Sequence, residues 1–210
     1  MLTDAERREV ARTIAEVERG TDAELVTVLA RRADHYTYVP TLWAAAVALL
    51  TPGVLALATP LWLDLWDVLI AQWLVFVVLA LLLRWPPLMY RLIPRRLQHW
   101  RAGNLARRQF LEQNLHHTLG ETGVLIFVAE AEHYVEILAD RGIARHVGQE
   151  QWQGIVDAFT RRVREGQTVQ GFLECVRSCG ELLGRHVPPT SNKNELPNHM
   201  VVIGYRNSGD

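Results

Sequence analysis

The stretch Leu42 to Leu83 constrains this chain most. Over that length the only charged side chains are Asp64 and Asp67, close together near its middle. An apolar helix needs about 20 residues to cross a bilayer, and Leu42–Thr59 and Leu65–Leu83 each come near that length. Pro60 and the two acids make a short polar turn between them. The pattern predicts a helical hairpin crossing a membrane twice. The alternative is a hairpin buried in a soluble core, but core helices usually carry polar residues on the side that meets water. Pro52-Gly53 lies inside the first run and is expected to kink it, which a membrane helix tolerates better than an open loop.

The flanking residues suggest an orientation. From Arg84 to Arg108 there are seven arginines and no acid. The positive-inside rule puts such a cluster on the cytoplasmic side, and a two-pass hairpin then brings Met1 to Thr41 to that side too. The localisation expected is the cell inner membrane, with both termini cytoplasmic. Arg84, Arg91, Arg95, Arg96 and Arg101 are the candidates for contact with anionic lipid headgroups, each worth roughly 1 kcal/mol near the surface. Tyr36, Tyr38, Trp43 and Trp85 suit one interfacial belt, and Trp62 and Trp66 the other. Trp73 falls inside the second run and has no belt role. The formal charge of the whole chain is -1, which gives no case for a nucleic-acid partner. The charged, amphipathic start is not expected to be a cleavable signal peptide.

Outside the hairpin the sequence alternates helices and strands. Leu2–Gly20 reads as a helix with Thr3 as N-cap and Glu6 completing a capping box. Glu24–Ala30 reads as a strand. Arg101–Leu119 reads as a helix. Gly123–Ala129, GVLIFVA, is an unbroken apolar run, the mark of a central strand covered on both faces. His133–Asp140 alternates polar and apolar residues and should pair with it as a hairpin. Gly142–Val147 is expected to be a loop. Helices follow over Gln149–Arg164 and Thr168–Leu183, and a last strand over His199–Gly204. A lone strand such as Glu24–Ala30 is not stable by itself, so it is expected to join the later sheet. The alternative is an N-terminal linker packing on nothing.

The segment Leu119 to Pro188 resembles the TPM domain. The residues that carry the likeness are Thr122-Gly123-Val124-Leu125-Ile126-Phe127, Val135-Glu136-Ile137-Leu138 and Asp140-Arg141-Gly142-Ile143, with Trp152 and the closing helix Gly171–Leu183. Glu24–Ala30 looks like that family's first strand. The resemblance implies an α/β fold, a mixed sheet flanked by helices, here interrupted by the two-helix transmembrane hairpin. It also implies frequent membrane attachment and, as in some plant members, phosphatase activity. The family's Asp-Asn-Gly turn corresponds here to Glu121-Thr122-Gly123. The organisation expected is residues 1–40 as first helix and strand, 41–85 as hairpin, 86–118 as basic juxtamembrane segment and helix, 119–204 as the main α/β part, and 205–210 as a frayed tail.

Glu121 and Asp140 are the best candidate site residues. They sit at the entry to one strand and the exit of its neighbour, hence at one edge of the sheet. Carboxylates converging there suit Ca²⁺ or Mg²⁺ and, through a metal, phosphoryl hydrolysis. The plainer reading makes them loop acids that cap backbone N–H groups or pair with Arg141 or Arg145. His116 and His117, adjacent on a helix, should diverge by about 100°. His133, His146 and His186 are scattered and read as surface or cap residues. Cys175 and Cys179 read as reduced packing thiols. Arg161, Arg162 and Arg164 read as a solvated helix face. No phosphate-binding glycine loop, HExxH or nucleophile elbow is present. The function expected is a membrane-tethered module binding or assembling with a membrane or cytoplasmic protein. The alternative is a metal-assisted phosphatase or phosphohydrolase.

Overall fold

The computed structural model describes residues 3–58, 64–85, 88, 91–118, 120–190 and 200–204. It divides into two compact units, Met1–Ala33 with His99–Asp210, and Asp34–Gln98.

The first unit is a four-stranded mixed sheet between two layers of helix. Helix α1 (Asp4–Glu18) begins on the Thr3 cap, whose hydroxyl accepts from the Glu6 N–H while the Glu6 carboxylate accepts from the Thr3 N–H. Strand β1 (Glu24–Ala30) pairs in parallel with β2 (Gly123–Ala129), residue 24 opposite 123 through residue 30 opposite 129. β2 turns back into β3 (Tyr134–Ala139) as an antiparallel hairpin. β4 (Met200–Ile203) lies parallel to the other side of β1, giving the order β3-β2-β1-β4. Pairing with β2 and β4 makes Glu24–Ala30 a central strand, not a linker.

β2 reads as an unbroken apolar run, and β1, ELVTVLA, is broken only by Glu24 and Thr27, because both their faces are covered. Leu25, Leu29, Val124, Ile126 and Val128 face the core shared with α1 and with helices α6 (Gln149–Arg164) and α7 (Thr168–His186), where Phe159 and Phe172 meet edge to face. Val26, Val28, Leu125 and Phe127 face the opposite core, closed by Ala102 and Ala106 of helix α4 (Arg95–Glu112) and by Leu115. Small residues four apart on α4 let that helix approach the sheet closely.

Two elements differ from the sequence expectation. α4 starts at Arg95 rather than Arg101, directly after Pro94, a residue suited to a helix start. It ends at Glu112, because Asn114 adopts a left-handed conformation (φ 57°) and a 3₁₀ turn, Leu115–His117, follows. Within the expected loop Gly142–Val147, the chain makes a one-turn helix, α5 (Arg141–Ala144), capped by Asp140.

The second unit is the hairpin of α2 (Tyr38–Ala58) and α3 (Leu65–Leu82). α2 continues through Pro52. Asp64 and Asp67, the two acids of the apolar stretch, form the capping box that starts α3. Both helices are long and apolar enough to cross a membrane by length and composition, and no residue of α3 is buried. Tyr36, expected at a lipid interface, is instead fully buried in a small cluster with Val39 and Ile93. Trp62 lies outside the described residues.

Candidate functional site

The edge where β2 begins and β3 ends brings together the two acids singled out above. Gly120 and Glu121 both have positive φ (91° and 57°), which turns the chain sharply into β2. The Asp140 N–H donates to the Gly123 carbonyl at 2.9 Å, and the Gly142 N–H donates to the Glu121 carbonyl at 3.0 Å. The two backbones are so close here that a Cβ on Gly142 would lie 2.2 Å from the Gly120 carbonyl oxygen. Only glycine fits that approach.

The acid side chains take the plainer roles. Asp140 Oδ1 accepts from the Arg141 N–H at 2.7 Å, an N-cap, while Glu121 Oε2 stands 3.8 Å from Arg145 Nη2 on an exposed surface. One atom is left over. Asp140 Oδ2 is buried and has no hydrogen-bond partner among the described residues. No group of three or more His, Cys, Asp or Glu suited to a metal ion occurs among those residues. A Ca²⁺ ion takes six to eight oxygens. Here Asp140 Oδ2 and, if it left Arg145, the Glu121 carboxylate would supply the side-chain ligands, and water the rest.

Three other polar clusters were not legible in the sequence. A cleft of about 680 Å³ opens beside the α6–α7 junction, lined by Glu6, Glu130, Arg162, Gln167, Thr168 and Glu174 among others. Arg162 is not merely solvated. Its guanidinium grips Glu174 with two donors at 2.8 and 2.9 Å and reaches Gln167 at 3.0 Å, tying α6 to α7 across the Gly166 turn. The bonds to Glu174 hold Arg162 still more firmly in its charged form.

On the other face, the Tyr134 hydroxyl donates to Glu136 Oε2 at 3.0 Å beside Gly103 and the His99 ring. Burial, reinforced by Glu136, pushes Tyr134 far above its ordinary range, so its proton stays in place. Glu18 is the third. Its Oε1 accepts from the Leu25 N–H at 2.8 Å, and burial raises the carboxyl to about 8. Its position four residues after Ile14, on the apolar stripe of α1, is the signal that could have flagged it.

The cysteines are buried, free and stacked, with Cys179 pushed well up by its hydrogen bond to Cys175 and by burial. They are packing groups. His116 and His117 lie in the 3₁₀ turn, with their ring centroids 4.0 Å apart. Both are exposed, as are His133, His146 and His186. Arg84, Arg91, Arg95 and Arg96 are exposed, whereas Arg101 is half-buried with its guanidinium 5.1 Å from the Trp100 ring.

A mixed sheet with one helical layer on each face, closed at one end by a glycine-pinned turn, defines an α/β module. Residues 93–182 match the TPM domain model, and over that segment the chain is similar to a TPM domain. No curated protein matches the chain. Among solved structures, the fold is similar to the NMR structure of the BA42 protein from the psychrophilic bacterium Bizionia argentinensis. That protein is 17% identical, and the match covers 96% of this chain and 95% of that one with a TM-score of 0.60. β1 lies outside the segment that the family model matches, yet it is central in the sheet.

Proposed function

We propose that this chain is a TPM module tethered to the cell inner membrane by α2 and α3, with both termini cytoplasmic, and that it binds or assembles with another protein. One observation carries the reading. The apolar hairpin, none of whose α3 residues is buried, is inserted between two strands, β1 and β2, that pair directly. Strands cannot pair across a bilayer, so both ends of the insertion must return to the same side. Arg84, Arg91, Arg95, Arg96 and Arg101 then meet anionic headgroups. The test is fractionation of the full chain carrying a reporter at Asp210. The protein should stay in the membrane pellet after alkaline carbonate, with the reporter active only in the cytoplasm. Extraction by carbonate, or periplasmic reporter activity, would sink the reading.

A metal-assisted phosphohydrolase is the second reading, and the buried, unpartnered Asp140 Oδ2 is what favours it. Titration of the full chain in micelles with Ca²⁺ or Mg²⁺, followed by NMR, separates the two. Saturable shifts confined to Glu121, Asp140 and their neighbours, lost in Asp140→Asn, would support an ion site. Unchanged spectra at millimolar metal would leave the binding role alone.

A further inference from the structure

We infer that the hairpin pairs with a second copy of this chain through the flank of α3 that carries Trp73, with Gln72 beside it. The inference rests on the membrane reading above. Gln72 and Trp73 stand at the middle of α3, hence near the bilayer midplane. The half-exposed residues of α3, among them Val68, Gln72, Val75 and Leu79, recur at helical spacing and mark the face turned to α2. Trp73 is one step, about 100°, further round and is 65% exposed. It shares that flank with Leu69 and Val77, four residues to either side.

Gln72 has an amide and Trp73 an indole N–H, and neither side chain has a hydrogen-bond partner among the described residues. The Trp73 ring contact is with Phe76 and is apolar, edge to face at 5.9 Å. Lipid tails offer such groups nothing to bond. Interfacial tryptophans reach the headgroups, but Trp73 is too deep for that.

The chemistry fits a copy of the same chain. Two copies inserted in the same direction are related by a twofold axis along the membrane normal, the commonest symmetry of homo-oligomers. Such an axis sets residues of equal depth side by side. The Gln72 carbonyl of each copy then accepts from the Trp73 indole N–H of the other. Donor and acceptor are both supplied by the chain at one depth, so the surface is complementary to itself. Amide side chains bridging helices in this way are a recurrent means of association in membranes.

The test uses single cysteines in the full chain in native membranes, treated with copper-phenanthroline after carbonate extraction. Leu69→Cys should give a disulfide-linked species of twice the mass. Val78→Cys, on the other flank, and the parent chain, whose own thiols are buried, should not. Trp73→Phe keeps the ring and removes the N–H, and added to Leu69→Cys it should lower the dimer yield roughly three- to eightfold. Loss of the protein from the membrane pellet overturns the anchoring and this pairing with it. Four results with the protein in the pellet overturn the pairing alone: a monomeric Leu69→Cys, equal dimer from Val78→Cys, a product of some other mass, or no effect of Trp73→Phe.

Discussion

β2 and α3 are similarly apolar and have opposite fates. All seven residues of GVLIFVA are buried, whereas none of the eighteen in α3 is. The difference lies in what surrounds each. β2 sits between two strands, with a helical layer on either face, so its alternate side chains enter two cores. α3 packs on α2, and none of its residues is buried among the described residues. Apolar composition therefore states a demand for a non-aqueous environment. The fold decides whether protein or another solvent meets it.

Paired substitutions in micelles break or sharpen that contrast. Phe172→Ala, in the core beneath β2, should destabilise the sheet unit by about 3–5 kcal/mol, read from hydrogen exchange of the β2 amides. Leu81→Ala in α3 should change the same exchange by no more than about 0.5 kcal/mol. Equal losses would mean that the two regions share one core.

The second effect is on pH dependence. The folded Glu18 carboxyl, at about 8, lies above its ordinary 4.5. Its contribution to stability is therefore full below pH 4.5 and is lost as pH rises towards 8. Glu18→Gln should flatten the slope of unfolding free energy across that window. An unchanged slope would show that the carboxyl is not buried as described.

Backbone crowding gives a third contrast. Gly142→Ala, forced against the Gly120 and Glu121 carbonyls, should cost about 1–3 kcal/mol. Gly53→Ala in α2 meets nothing within 4 Å and should stabilise its helix by up to about 1 kcal/mol, read by helicity on heating. The smallest effect is at the caps. Thr3→Ala should cost about 1 kcal/mol in the sheet unit, while Asp64→Ala should fray the start of α3 and leave β2 exchange unchanged.

Local signals were the legible part of this fold. β1 and β2 could be read to the residue because apolar runs flanked by glycine, threonine and acids have little else to become. The Thr3 capping box was equally plain. What escaped was set by partners far along the chain. Tyr36 is buried by Ile93, and Arg162 is held by Glu174. Neither contact leaves a mark on the local sequence. The one-turn helix α5 is too short for propensity to register, and it exists because Asp140 caps it and Gly142 allows the chain to close up. The site was legible in the same measure. Glu121 and Asp140 do reach one edge, but only the packing showed that one oxygen of Asp140 is left over.

The pairing of β1 with β2 also orders events in time. Their partner residues are roughly a hundred positions apart. At about 5–20 residues per second, β1 is synthesised some 5–20 s before the strand it must lie against. β4, its other neighbour, comes later still. For that interval the segment Glu24–Ala30 has neither lateral partner; of the helices that cover it, α1 is already made and α4 follows only shortly before β2. The nascent chain is most exposed to mispairing and to chaperone capture then, before its central strand has a neighbour.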